Sequence, residues 1–140
     1  MKLKKLYEAD LPFLLEVRNH PSTKENLENN QEFTLKECTK WFKTTHPEWF
    51  IVINENGDKV GYVRIDGNDV GCDIHPNHRK KGYARKALKL ILQNKDYATL
   101  WVFGDNFALD FYLSLGFTLD GQSKIIRDRN YLHMTYIKRK

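Results

Sequence analysis

Residues 79–85 read Arg79-Lys80-Lys81-Gly82-Tyr83-Ala84-Arg85. Cations, a glycine and an alanine in that order suit the binding of an anion. Ahead of them, Val70 to His75 reads as a short strand. Pro76 stops it, because proline lacks a ladder donor and fixes its own φ. From Tyr83 onward Ala84, Ala87, Leu88, Ile91 and Leu92 recur at helical spacing, with Arg85, Lys86 and Lys89 between them. The first N–H groups of a helix have no partner within it, and the macrodipole makes that end positive. A diphosphate can accept those donors if the backbone can come close. Gly82 and Ala84 keep the surface low, while Arg79, Lys80 and Lys81 supply charge from the side. The alternative is a solvated basic turn before an ordinary amphipathic helix. A short glycine pattern alone does not separate the two.

The residues carry a more specific likeness. Ile74-x-Pro76 followed by Arg79-x-x-Gly82-x-Ala84 resembles the acetyl-CoA signature of the GNAT superfamily of N-acetyltransferases. Asn106, Ala108, Tyr112 and Leu115-Gly116-Phe117 resemble that family's Asn…Ala…Tyr…Leu-Gly-Phe element. Together the motifs span residues 69 to 117 in family order. The resemblance implies an α+β fold: a mostly antiparallel seven-stranded sheet, splayed between strands four and five and flanked by about four helices. It implies acetyl-CoA as co-substrate, no metal, and direct attack of an amine on the thioester. Such attack needs a donor for the oxyanion, and a proton for the leaving thiolate helps.

Residue by residue, the resemblance places the pyrophosphate on Arg79, Lys80, Lys81, Gly82, Tyr83, Ala84 and Arg85. It lays the pantetheine arm along Cys72, Asp73, Ile74 and His75, where one amide serves the oxyanion. Asn106 holds the arm, and Tyr112 is the general acid. A phenol, with a reference pKa of about 10 against about 8.5 for a thiol, keeps its proton at neutral pH and can give it to sulfur. The structural alternatives are a core tyrosine beside Phe111 and a helix N-cap at Asn106. The general base is unassigned. A period-two count puts Asp69 and Asp73 on one face of the strand, unless a bulge swaps the faces. His75 and His78 read as exposed side chains near the turn.

The acceptor region is less specific. Arg18-Asn19-His20-Pro21, followed by a helix ending in Trp41-Phe42, resembles N-acetyltransferases acting on nucleotide-linked amino sugars. It also resembles the branch that acetylates N-termini of ribosomal proteins. Arg18 and Trp41 would hold a nucleotide by charge and stacking; helix surface and core are their plain alternatives. Three readings follow: a small-molecule acetyltransferase, favoured; a protein or peptide acetyltransferase; and a non-catalytic module sensing acyl-CoA or nucleic acid. Tyr112 and Asn106 argue against the third.

The elements must position these residues within 140 residues, read as one domain over 1–140. A hydrophobic content of 41% excludes a disordered chain. No apolar run reaches the roughly 20 residues of a membrane span. The charged start reads as no signal peptide. Cys38 and Cys72 form neither a disulfide framework nor a zinc spacing, which points to the cytoplasm. The net charge of +5 gathers around the 79–89 turn and helix, so nucleic acid is not needed to explain it. A monomer or a homodimer is expected.

Lys2 to Tyr7 is a first strand. Asp10 is the expected N-cap of a helix over Leu11 to Arg18. Ser22 to Glu32 is a loop or a short irregular helix. Thr34-x-x-Glu37 is a capping box opening a helix to about Thr44. Trp49 to Asn54, Lys59 to Ile65 and the Val70 strand form a meander through turns at Asn56-Gly57 and Asp66-Gly67-Asn68. Ala98 to Phe103 is strand five. A helix over Asn106 to Leu115, with Phe107, Phe111 and Leu115 on one stripe, is capped by Gly116. Phe117 to Gln122 and Tyr131 to Ile137 are the last strands, connected by Ser123 to Asn130. Ile137 to Lys140 reads as a solvated end.

Overall fold

The computed structural model describes residues 1–106 and 108–139. Seven strands build one sheet: β1 (Lys2–Lys5), β2 (Phe50–Ile53), β3 (Lys59–Asp66), β4 (Asp69–Ile74), β5 (Tyr97–Phe103), β6 (Thr118–Ile126) and β7 (Arg129–Ile137). Their order is β1-β2-β3-β4-β5-β7-β6. Every pairing is antiparallel except β4 with β5, which is parallel. Five helices flank the sheet: α1 (Leu11–Arg18), α2 (Pro21–Lys24), α3 (Leu35–Thr45), α4 (Tyr83–Leu92) and α5 (Ala108–Ser114).

Apolar residues on the two faces form two clusters. Ala87, Leu88, Ile91 and Leu92 of α4 pack on Val63, Val70, Leu100 and Val102. Leu11, Leu14 and Val17 of α1, with Cys38 of α3, cover Ile51 and Tyr62. Which β3 residues face which cluster is set by a bulge. Val52 pairs with Gly61 but Ile53 with Lys59, leaving Val60 as the extra residue. Beyond it β3 and β4 run without a shift, with Tyr62 opposite Asp73, Arg64 opposite Gly71 and Asp66 opposite Asp69. Directly opposed residues share a face, so these six positions lie together. The bulge that could have re-aimed Asp69 and Asp73 is therefore in β3, not in β4.

Other expectations meet corrections. Asp10 does not cap α1 with its side chain. Its carboxylate turns back over the preceding 3-10 turn, accepting the Tyr7 N–H at 2.9 Å, and pairs with Lys4 at 2.6 Å and Lys59 at 2.8 Å. Two ammonium groups and an amide outcompete the helix end. The segment from Ser123 to Asn130 is mostly strand; only Arg127 and Asp128 turn, with φ of 50° and 60°. Two positive φ values are what a two-residue hairpin turn asks for, and neither residue announces it. The Phe107 position of the expected stripe lies outside the described residues, as does Lys140. Gly116, with φ of 102°, ends α5. The Phe117 N–H reaches the Tyr112 carbonyl at 3.2 Å and the Gly116 N–H that of Leu113 at 3.1 Å. This is a Schellman closure, and it fixes the backbone that carries Tyr112.

Burial pushes the Asp10 carboxyl up, but the hydrogen bonds from Lys4, Lys59 and Tyr7 outweigh it and leave it below its usual value. A depressed carboxyl stabilises the fold above its unfolded pKa and loses that contribution as pH falls through the folded value. Asp10→Asn should cost about 1–3 kcal/mol at neutral pH. Urea denaturation should show the gap to the parent closing as pH drops below about 4. A gap unchanged between neutral pH and about pH 3 would mean that charge is not what Asp10 contributes.

Candidate active site

β4 and β5 share one register pair, Asp69 with Thr99. There the Thr99 N–H donates to the Asn68 carbonyl at 2.8 Å and its hydroxyl to Asp69 at 3.1 Å. Beyond it the strands part. On the other edge of β4, the His75 N–H donates to the Val60 carbonyl at 2.8 Å. Hydrogen-bonded and non-bonded pairs alternate along an antiparallel ladder. Asp73 and Gly71 therefore turn their main-chain groups to β3, while Cys72 and Ile74 turn theirs toward the gap. The Ile74 carbonyl accepts Arg79 Nε at 3.0 Å, and the His75 carbonyl accepts the His78 N–H at 2.9 Å. Of the four strand positions singled out, only Cys72 and Ile74 offer main-chain groups to a ligand. The His75 side chain leaves the gap, stacks on Phe13 and meets Glu16 at 3.1 Å. It is mostly buried, not the exposed side chain expected.

A cleft of about 630 Å³ opens over this gap. Arg79, Lys80, Gly82, Tyr83, Ala84 and Arg85 line it, with Cys72, Asp73, Ile74, Asn106 and Tyr112; Lys81 is exposed and off its wall. Gly82 N-caps α4 with φ of 81°, and a Cβ there would meet nothing within 4 Å. The glycine permits the left-handed turn that starts the helix and leaves the approach open. The Arg79 guanidinium does not reach outward. It bonds Ser22 Oγ at 2.6 Å and Thr23 Oγ1 at 2.9 Å, tying α2 to the end of β4. Asn106 Oδ1 caps the start of α5 by accepting the Ala108 N–H at 2.9 Å.

Burial pushes the Tyr112 phenol well above its usual range; Arg64 opposes this, and Asp73 and Cys72 add to it. It is a proton donor at neutral pH. Burial likewise keeps the Cys72 thiol protonated.

A second cavity of about 250 Å³ lies across Arg64, Trp101 and Tyr112, which line both. Trp49, Tyr62, Asp69 and Tyr131 wall it, and Leu27, Glu28 and Asn29 roof it. Arg64 lies over Gly71, where any side chain would strike its guanidinium. Its Nε is 3.1 Å from Asp73, an ion pair without hydrogen-bond alignment. Burial holds the Tyr131 phenol up at about 12 against Arg64. None of Tyr62, Arg64, Trp101 and Tyr131 was singled out in the sequence. The available signal was a charged residue, Arg64, at mid-strand between apolar neighbours.

The roof is braced. Arg18 donates to the Asn29 and Gln31 carbonyls at 2.6 and 3.1 Å. Arg127 donates to those of Leu27, Glu28 and Glu25 at 2.7, 2.8 and 3.3 Å. Arg129 reaches the Glu25 carbonyl at 2.6 Å, and Lys124 pairs with Glu28 at 2.7 Å. Trp41 sits edge-on to Trp49 at 4.8 Å and lines an apolar pocket of about 260 Å³ between α1 and α3 instead. Among the described residues, no three His, Cys, Asp or Glu side chains gather as a metal-ligand set. No helix among them is long and apolar enough to cross a membrane.

Solved structures share this architecture. Spermidine N-acetyltransferase from Vibrio cholerae, in complex with CoA and spermine, superposes with a TM-score of 0.89 at 19% identity, over 97% of this chain and 94% of that one. Ribosomal-protein-alanine N-acetyltransferase from Brucella melitensis gives 0.80 at 21% identity, over 99% and 100%. A Salmonella typhimurium protein with acetyl-CoA bound gives 0.79 at 22%, over 100% and 95%. At these identities the likeness is one of fold. No curated protein sequence matches the chain. The family described as acetyltransferase (GNAT) domain matches residues 46–119, more than half of the chain, including β4, the 79–85 turn and Tyr112. The chain belongs to the GNAT family and is an acetyl-CoA-dependent N-acetyltransferase.

Proposed function

We propose that the acceptor is a small-molecule primary amine, held in the 250 Å³ cavity while acetyl-CoA occupies the 630 Å³ cleft. The observation that carries this is the shared wall of Arg64, Trp101 and Tyr112. Fold neighbours include enzymes for spermidine and for ribosomal-protein alanine, so fold does not choose between small molecule and protein. The roof does. A peptide needs an open groove, whereas residues 25–31 are bolted across this cavity by Arg18, Arg127 and Arg129. A nucleotide-linked amino sugar would have to leave its nucleotide outside, and Trp41 does not line the cavity.

The cleft fits acetyl-CoA on two counts: the β4 edge at Cys72 and the Ile74 N–H, which face no strand, and the open approach at Gly82 to the first amides of α4. When bound, acetyl-CoA supplies the activated acetyl thioester. The N–H groups on that edge favour negative charge developing on the acetyl oxygen. The amides of Tyr83, Ala84 and Arg85 have no helical partner and suit the pyrophosphate. Tyr112 donates its proton to the departing sulfur, and Arg64 eases the negative charge left on the phenol.

Gly82→Glu places a negative side chain in the cradle and strains a left-handed position. CoA affinity, read by titration calorimetry, should fall about tenfold or more. Unchanged affinity would move the pyrophosphate elsewhere. Tyr112→Phe keeps the ring and its packing on Phe117. CoA affinity should hold, while acetyl transfer to an amine panel slows on the order of a hundred- to ten-thousand-fold in single turnover. Transfer at the parent rate would remove Tyr112 as the acid. Turnover of peptides alone would replace the small amine with a protein acceptor.

A further inference from the structure

The acceptor cavity is electrically lopsided. Tyr62, Arg64 and Asp66 leave β3 on one face at two-residue intervals, so about 13 Å separates Tyr62 from Asp66 along the strand. At the Asp66 end the cavity has two carboxylates, Asp66 and Asp69. At the Tyr62 end it has a cation and two neutral donors: Arg18, Tyr62 and Trp49. Arg64, between them, is neutralised by Asp73. Glu28 in the roof is neutralised by Lys124.

Two of the three donors at the Tyr62 end have no acceptor among the described residues. Tyr62 is 0% exposed, and its hydroxyl has no hydrogen-bond partner among the described residues. Burial raises its pKa, and Asp73, opposite it on β4, adds to this by charge and as a side-chain acceptor out of full hydrogen-bond alignment. Trp49 Nε1 is buried and also without a partner. No described carboxylate lies within 4 Å of the Arg18 guanidinium. Arg18 gives two hydrogen bonds to main-chain carbonyls, and a guanidinium has five N–H groups to give. Unpaired buried donors are costly and rare in native structures unless something completes them. Two such donors beside the half-used Arg18 guanidinium, on the wall of one cavity, call for an acceptor atom that the described residues do not place in alignment.

We propose that this corner is an anion subsite, and that the amine acetylated also carries a carboxylate, as a free amino acid does. The proposal rests on the reading of this cavity as the acceptor site. A carboxylate brings two oxygens and several lone pairs to a fork of guanidinium, indole and phenol donors. The adjoining apolar pocket shares Arg18 and Trp49 with the cavity and is lined by Leu14, Leu15, Phe33 and Cys38. It suits an apolar side chain on the same substrate.

Matched pairs that differ only in the carboxylate test this: L-phenylalanine against phenethylamine, and L-leucine against isoamylamine. Titrated into the CoA-loaded protein, the amino acid of each pair should bind at least about tenfold tighter, the worth of one hydrogen bond to a charged group. Tyr62→Phe should cut that preference several-fold, read as the ratio of the two affinities within each pair. Arg18→Gln should abolish the preference. Arg18 also braces the roof, so Tyr62→Phe, which keeps the ring and its packing, is the deciding variant. Equal binding within the pairs, binding of neither member, or an undiminished preference in Tyr62→Phe overturns the subsite. Carboxylate-dependent binding with no thiol released from acetyl-CoA leaves the subsite standing and overturns the acceptor reading instead.

Discussion

Where Asp69 meets Thr99, two parallel strands share one pair of residues, and past it the main chain of Cys72 and Ile74 faces no strand. Backbone donors and acceptors away from water must be satisfied somewhere. A sheet that splits in its middle therefore holds an edge that only water or a ligand can complete. The other features gather around that edge. α4 begins at the end of β4, so its free amides point to the same opening. α5 closes the far side, and its Schellman end holds Tyr112 between Phe111 and Phe117.

The second constraint is the pair of Arg64 and Asp73. Taking both charges out of water costs more than their attraction reliably returns, so the pair is poorly explained as a stabiliser of the sheet. Its position explains it better. It stands between the two cavities, beside Tyr112, where Arg64 opposes and Asp73 adds to the rise of the phenol pKa. Gly71 is part of the same device, because any side chain there would displace the guanidinium.

Much of this was legible in the sequence and some was not, for identifiable reasons. The turn at Gly82, the helix after it, the capping box at Thr34 and the glycine at 116 are local features, decided by residues within a turn of one another. The destinations of long polar side chains are not local. Arg79 reads as a phosphate ligand, and nothing local announces that its guanidinium also ties down Ser22 and Thr23 of α2. Asp10 reads as a cap until Lys4 and Lys59 come within reach. Arg18 was picked for its charge, but its partners, the carbonyls of Asn29 and Gln31, carry no sequence signal. Tyr62 and Arg64 stayed hidden because a single bulge at Val60 decides which face they occupy.

The roof of the 250 Å³ cavity has a property that follows from how it is fastened. All three hydrogen bonds of Arg127 go to main-chain carbonyls, those of Glu25, Leu27 and Glu28. A carbonyl is the same whatever residue carries it, and it does not titrate. The fastening is therefore blind to side-chain identity. Drift at Leu27 or Asn29 can reshape the ceiling of that cavity without loosening the Arg127 latch, so its lining is free to diverge while the frame that carries it is inherited unchanged.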